Sequence, residues 1–197
     1  MVRGLLVVLV VTVVGVGCAG SKVQTVALDV PKRSDEALYL LPFEPPKKVL
    51  VAKDRNTAGD PLQRQLMLAI KSASSAYDYT FDEGDIRNLR TSLVRSLQVS
   101  RSFATVQDLS STPDPRPARG LFLTVRLEEA GMRASGGSFA AIIKGTARIE
   151  DSRGLPLGAE VAIDANETGL LTVAQSKNQA IASVITQIGK LLGRQLR

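Results

Sequence analysis

Apolar and polar residues alternate most regularly in the second half of the chain. Every second residue from position 121 to 127 is apolar, and the segments 139–149 and 159–163 repeat that period of two. A period of two predicts strands with one buried face. Residues 151–154 (Asp-Ser-Arg-Gly) suit a hairpin turn, because glycine adopts a positive φ without strain. The pattern therefore predicts three antiparallel strands.

Apolar residues recur at helical spacing in three other segments, 62–73, 86–97 and 181–192. Asp60 stands before a proline at the start of the first segment, and this pair suits a helix N-terminus, since aspartate caps free amides and proline fits the first turn. Asp85 stands in the capping position before the second segment. We expect each helix to bury its apolar stripe.

The last helix has its own start signal. Thr172, followed three residues later by Gln175, resembles a capping box. Lys177 and the other basic residues of this helix are predicted to face water. Gly189 and Gly193 lie four residues apart, which indicates close packing against a neighbouring element rather than a dimer motif.

The first half contains shorter elements. Residues 37–43 and 48–52 have strand character, and the second run either continues the same sheet or forms a separate edge piece. We predict a further short strand over residues 102–109. Residues 74–83 carry three aromatic side chains and predict a loop over the edge of the core, with a lid over the sheet as the alternative. Residues 110–119 contain three prolines and predict an exposed loop.

These elements together predict an α+β fold. Two or three helices would pack against one face of a mostly antiparallel sheet, which makes a two-layer sandwich. Residues 37–197 are enough chain for one domain with a real core and too few for two. We therefore expect a single domain over 37–197.

The N-terminus has the pattern of a bacterial export signal. Arg3 precedes an apolar run over 5–16, which is too short to cross a bilayer comfortably as a permanent helix. Residues 15–18 (Gly-Val-Gly-Cys) resemble the lipobox of bacterial lipoproteins, where small residues precede a cysteine that becomes lipidated. Cys18 is the only cysteine in the chain. Its place at the end of the apolar run favours a lipidation site over a packing role.

The lipobox resemblance implies a processed, membrane-anchored protein. Residues 1–17 would be a signal peptide, and Cys18 would carry a diacylglycerol and an N-acyl chain such as palmitate, which together give stable anchoring. Residues 18–36 would be a flexible tether. Residues 19–21 lack the aspartate that retains such proteins in the inner membrane, so we expect an outer-membrane anchor facing the periplasm. An ordinary secretory signal and an uncleaved anchor are the alternatives.

The available side chains leave little catalytic chemistry. The chain has no histidine, and its single thiol would be lipidated, which excludes nucleophilic triads and the usual zinc sites. Glu128 and Glu129 are neighbours on a strand and point to opposite faces, so they cannot act as a pair. No phosphate-binding glycine loop is present in the sequence. We therefore expect a protein that is not an enzyme and that has no metal and no cofactor other than its lipid.

Basic residues outnumber acidic ones, and the formal net charge is +6. Arg87, Arg90, Arg95 and Arg101 lie on or near the predicted second helix. They form either a solvated helix face or a surface for an anionic partner, such as phospholipid head groups, an anionic glycan or an acidic protein. The chain offers no aromatic stacking partners among them, so we expect no nucleic-acid binding.

Four stretches resemble a group of envelope lipoproteins: 39–43 (Tyr-Leu-Leu-Pro-Phe), 89–106, 120–123 and 151–154. The group shares a fold similar to the TolB amino-terminal domain. It includes the curli secretion lipoprotein, the lipoprotein activator of penicillin-binding proteins, the Pel polysaccharide export lipoprotein and the auxiliary lipoproteins of ABC-type lipid transporters. The resemblance extends over most of 37–197 and supports architecture better than function.

The resemblance and the anchor together lead to one main hypothesis. The protein would be a lipid-anchored periplasmic accessory or scaffolding lipoprotein of an envelope complex for export, transport or wall synthesis. Its partners would be the membrane, the proteins of that complex and, in one version, further copies of itself. The alternatives are a lipid-handling auxiliary lipoprotein of an ABC-type transporter and a ring-forming export component.

Overall fold

The alternating apolar positions of the second half lie on one face of a β-sheet, and two helices cover that face. The computed structural model describes residues 21–50, 81–110, 116–135, 138–169 and 173–196. In chain order the elements are β1 Arg33–Leu40, β2 Lys48–Leu50, α1 Glu83–Ser100, β3 Phe103–Asp108, β4 Leu121–Ser135, β5 Ser138–Glu150, β6 Val161–Gly169 and α2 Val173–Gln195.

The strands are ordered β3, β1, β4, β5 and β6 across the sheet, and the short β2 pairs with β4. The predicted antiparallel trio is β4, β5 and β6. β1 pairs in parallel with β3 and β4, and β2 also pairs in parallel with β4. The predicted α+β class and the two-layer arrangement are confirmed, and the parallel pairings make the sheet mixed.

The core lies between the sheet and the helices and is almost entirely aliphatic. On β4, the residues from Leu121 to Leu127 that alternate inward are at most 6% exposed. The fully buried helical residues of this core include Leu89, Leu93 and Leu97 of α1 and Ile181, Val184, Ile185 and Ile188 of α2. The period of two on the strands and the helical period therefore meet in one core.

The start of α1 corrects one capping prediction. Asp82, not Asp85, is the N-cap, and its side chain accepts a hydrogen bond from the Asp85 amide at 2.8 Å. The Asp85 carboxylate accepts in return from the Asp82 amide at 3.1 Å, so the two residues form a capping box. Asp85 therefore lies inside the first turn of the helix and not at the N-cap. Part of its carboxylate remains available to other partners.

The segment before β1 corrects a second prediction. Residues 18–36 were predicted to be a flexible tether, but β1 begins at Arg33, and residues 21–32, which belong to no helix or strand, lie against both helices. Side chains at 24, 26, 28 and 30 are partly or fully buried, whereas those at 23, 25, 27 and 29 are exposed. This alternation packs one side of the segment onto the core.

The turn after β5 agrees with its prediction. Gly154 has a φ of +79°, and its amide donates to the Asp151 carbonyl at 3.0 Å. The predicted signal peptide, Cys18 and the predicted helix over 62–73 lie outside the described residues. Within the described residues, neither helix is long and apolar enough to cross a membrane.

Candidate functional site

The four arginines, interpreted above as either a solvated helix face or a surface for an anionic partner, lie on α1 or directly after it. Arg87 and Arg95 are exposed on α1 and stand about 12 Å apart along its axis. Arg101 is exposed just after the helix, in the left-handed conformation with a φ of 52°. Arg90 turns to the side and forms an ion pair with Asp108 of β3 at 2.8 Å. The four side chains therefore do not converge on one point.

Residues 21–32, which we call the N-terminal segment, are attached to α1 through backbone amides. Three of these amides donate to side chains of α1, and the pairs are Ser21 to Asp85 at 3.1 Å, Gln24 to Ser92 at 2.9 Å and Val26 to Ser96 at 2.9 Å. The three acceptors occupy positions on the buried face of α1. A polar side chain on that face can accept a hydrogen bond from a neighbouring backbone amide, whereas an apolar side chain cannot.

The same segment is attached to α2. The Lys22 amide donates to the Asn178 side chain at 2.9 Å, and the Gln24 side chain donates to the Asn178 carbonyl at 2.6 Å. Further along, Leu28 lies so close to Gly189 that a Cβ on that glycine would come within 2.7 Å of it. The predicted packing role of Gly189 is confirmed, and its neighbour is the N-terminal segment.

A buried ion pair joins the start of the segment to both helices. Lys177 Nζ lies 2.7 Å from Asp85 Oδ2, and both side chains are 2% exposed or less. The other carboxylate oxygen of Asp85 accepts the Ser21 amide. Lys177 was predicted to face water, and this prediction is wrong. Its position gave a signal, since it lies four residues before Ile181 on the apolar stripe of α2.

A second buried carboxylate lies on the other face of the sheet. Glu150, at the end of β5, has a side chain that is 1% exposed and stands 2.6 Å from both Arg116 Nη2 and Arg148 Nε. Neither contact is a hydrogen bond, so charge holds the side chains together. The Thr124 hydroxyl adds a hydrogen bond to Glu150 at 3.3 Å.

Phe122 fills the space beside this carboxylate. Its ring stacks on Tyr39 of β1 with centroids 5.2 Å apart, and the Arg116 guanidinium lies 5.2 Å from its centroid. The ring is fully buried on the face of the sheet that the helices do not cover. Arg116 thus closes a small cluster by charge and by cation–π contact.

Two carboxylates near the surface have pKa values below their ordinary values. For Glu44, the main cause of the lowered pKa is the hydrogen bond from Arg126, whose Nε donates at 2.7 Å and which in turn has a raised pKa. For Asp151, backbone amides of Leu155 and then Arg153 lower the pKa. The Glu44 carboxylate thus binds Arg126 of β4, and the Asp151 carboxylate binds the backbone of the turn after β5.

The described residues contain no group of three or more acidic side chains placed to hold a metal ion. The buried charges at Asp85 and Glu150 each face a cation of this same chain. Such an arrangement fixes structural elements to one another.

Comparisons with known proteins identify the fold. Neither the protein-family models nor the curated proteins that were compared match the sequence. The solved structure of protein XCC0632 from Xanthomonas campestris, assigned to family DUF330, aligns with 89% of this chain and 91% of its own, with a TM-score of 0.55 and 14% identity. This likeness shows a common fold for the two chains.

Two further solved structures are more distant. A PelC dodecamer from Paraburkholderia phytofirmans aligns with 84% of this chain and 96% of its own, with a TM-score of 0.38 and 13% identity. A minor lipoprotein from Acinetobacter baumannii aligns with 84% of this chain and 92% of its own, with a TM-score of 0.32 and 15% identity. At these scores the structures are partial likenesses, and the fold assignment rests on XCC0632.

Proposed function

We propose that the protein is a lipid-anchored accessory lipoprotein of the bacterial envelope, without catalytic activity, that docks on a larger complex. The observation that carries this proposal is the fixed path of the N-terminal segment. Its first described residue, Ser21, is bonded to Asp85, which is itself paired with Lys177. The chain therefore becomes part of the domain almost as soon as it leaves the predicted lipidation site.

The fixed path gives the anchored domain an orientation. Cys18 precedes Ser21 by three residues, which span at most about 10 Å. An acylated Cys18 would hold the end where α1 and α2 begin close to the bilayer. The segment then runs beside both helices towards their far ends, where the Ser102 hydroxyl donates to the Val30 carbonyl at 3.0 Å. The opposite end of the domain would face away from the membrane and be available to a partner.

Removing the thiol tests the anchor. We expect Cys18→Ala to move the protein from the outer-membrane fraction to the soluble periplasmic fraction, because the acyl chains on Cys18 are the anchor that this proposal supplies. Val99→Ala is the matched control, since Val99 is 60% exposed on α1 and the thiol remains. Retention of the Cys18→Ala protein in the membrane fraction would disprove the anchor.

Capture from its own envelope tests the accessory role. The lipidated protein would be purified in mild detergent, and the bound proteins and lipids identified by mass spectrometry. A stoichiometric subunit of a transporter, export system or synthase supports the proposal and names the complex. Lipid alone, with no protein at stoichiometric amount, would instead support a lipid-handling protein.

A further inference from the structure

The sheet has a gap at the end where the helices finish. β1 pairs with β3 from Arg33 to Leu40, but it pairs with β4 only from Leu38 onward. Before Leu38, no strand lies on the β4 side of β1 in the part of the chain that the structure describes. The neighbour of Leu38 is Leu121, the first residue of β4. Among the described residues, no strand therefore continues the line of β4 upstream of Leu121.

The conformation of Gly120 explains why the chain before Leu121 does not continue along the line of β4. Its φ is +124°, which side-chain-bearing residues rarely adopt, and a Cβ there would stand 2.6 Å from the Tyr39 ring and 2.9 Å from the Ala37 carbonyl oxygen. The chain arrives at Gly120 from Arg116, which is held over Phe122 and against Glu150. Arg119 and Gly120 therefore line one end of the gap, and the chain before them leads to Arg116 beside Phe122 and Glu150.

The gap is a pocket of about 710 Å³ between two walls. One wall is the first half of β1, and the other is the turn after β5, whose own hydrogen bonds include Asp151 to Leu155 and Leu157 to Ile149 at 2.9 Å. In a sheet, two strands that flank a third stand about 10 Å apart. A gap in the line of β4 therefore has room for one strand, and among the described residues no strand pairs with β1 on this side between Arg33 and Ala37, where its register with β3 is irregular.

The lining of the pocket is acidic although the protein is basic. Asp35, Glu36 and Asp151 line it together with a single basic residue, Arg119, whereas the whole chain carries a formal net charge of +6. Asp35 is exposed, whereas Asp151 accepts hydrogen bonds from its own turn and lies 3.5 Å from Arg153 Nε. Apolar surface is also present, because Leu157 is 43% exposed there.

We propose that this pocket binds an extended, basic segment of a partner protein, which adds as a strand beside the first half of β1 and places lysine or arginine side chains near Asp35 and Asp151. Addition of a strand to an open edge supplies main-chain hydrogen bonds, and the charges select the sequence. The inference deepens the accessory role proposed above and rests on it for the partner being a protein. In the anchored orientation, the pocket lies at the end away from the membrane.

The test uses the full chain in mild detergent and a fluorescein-labelled hexapeptide of alternating valine and lysine, followed by fluorescence anisotropy. We expect a dissociation constant on the order of 10 to 100 μM. Asp35→Lys should weaken binding about tenfold, because it reverses a charge on the wall. Asp164→Lys is the matched control, since Asp164 is exposed on β6, outside the pocket, and should leave binding unchanged.

Two further peptides separate strand addition from plain charge attraction. The same hexapeptide with alternate residues N-methylated should bind at least about tenfold more weakly, because it loses the donors for β1. A hexapeptide of alternating valine and glutamate should not bind. Equal binding of the lysine and glutamate peptides, an unchanged affinity in Asp35→Lys, or no binding at 1 mM would overturn the proposal.

The same measurement distinguishes this inference from the proposed anchor. A Cys18→Ala protein that leaves the membrane but still binds the lysine peptide supports both. Peptide binding with Cys18→Ala still in the membrane fraction supports the pocket and contradicts the anchor. Self-association that Asp35→Lys abolishes would show that the occupant is a second copy of the chain, and it would overturn the assignment of a separate partner.

Discussion

Asp85 and Glu150 are both buried carboxylates, but their surroundings differ. Asp85 lies between the helices, and its cation, Lys177, has no exposed surface. Glu150 lies on the face of the sheet that the helices leave uncovered, and its two arginines, Arg116 and Arg148, have side chains about 40% exposed. One pair is enclosed by the core, whereas the other is a carboxylate covered by side chains that reach water.

The difference shows which charge the fold depends on. If Asp85 lost its cation, the carboxylate would remain in the core with only backbone donors. If Glu150 lost its charge, each arginine could turn into water at little cost. A buried ion pair adds little net stability compared with an apolar pair, but removing one partner leaves an uncompensated charge. The enclosed pair should therefore be the more sensitive of the two.

Loss of Lys177 is the largest effect that this comparison predicts. We expect Lys177→Met to lower the free energy of unfolding by about 3–5 kcal/mol, because it leaves Asp85 charged and buried without a cation. Urea denaturation followed by circular dichroism measures the change. Lys190→Met is the matched control, since Lys190 is exposed on the same helix, and its effect should stay within about 0.5 kcal/mol.

A double variant tells charge from packing. Asp85→Asn combined with Lys177→Met removes both charges and should recover stability to within about 2 kcal/mol of the unchanged protein. If the double variant is as unstable as Lys177→Met alone, lost side-chain packing rather than an unpaired carboxylate explains the effect.

The positions of these two residues carried a usable signal for the pair, which simple amphipathicity obscures. Lys177 lies four residues before Ile181, and Asp85 lies four residues before Leu89, so each charge stands on an apolar stripe. Assigning every lysine to water overlooks that two opposite charges at matching positions on two helices can neutralise each other. A position on the apolar stripe predicts that a residue is buried. The pairing of Lys177 with Asp85 depends on how the two helices pack, and the sequence of one helix does not specify that.

The N-terminal segment teaches a similar lesson. Its apolar residues at 26, 28 and 30 alternate with exposed ones, as in a strand, but the basic residues that follow conceal this short pattern. Among the described residues the segment pairs with no strand, and its backbone amides donate hydrogen bonds to the side chains of Ser92, Ser96 and Asn178. The sequence could not predict these partners, because helix serines usually bond locally and here serve a distant backbone.

The second half was predicted well for a physical reason. Local periodicity determines β4, β5, β6 and α2, and consecutive antiparallel strands need only short turns to meet. The parallel pairing of β1 with β3 and β4 joins residues far apart in the chain. No local pattern specifies such a pairing, so the gap beside β1 could not be foreseen.

Neutralising Glu150 should have a smaller effect. We expect Glu150→Gln to lower the free energy of unfolding by about 1–2 kcal/mol, because the buried amide keeps some polar contacts while the arginines move to water. Glu128→Gln on the exposed part of β4 is the matched control and should change little. A loss as large as that of Lys177→Met would show that the two carboxylates are equally enclosed, and the comparison would fail.

The smallest effect concerns Asp151, a carboxylate at the surface beside Glu150. Its pKa in the folded protein lies below the ordinary value of 3.8, because backbone amides of Leu155 and Arg153 donate to it. A lowered pKa means that the charge stabilises the fold above the unfolded-state pKa, and that this stabilisation is lost as the pH falls through the folded-state value.

Asp151→Asn isolates that charge, since the amide keeps an oxygen for the same donors. We expect the variant to melt on the order of 1 °C below the unchanged protein at pH 6, with the difference vanishing as the pH falls well below 3.8. Asp164→Asn, at the exposed ion pair with Lys144, is the comparison variant. If the difference in melting temperature persists unchanged from pH 6 to pH 2, the turn depends on the shape of the Asp151 side chain and not on its charge. Charge would then matter for stability only at the enclosed carboxylates.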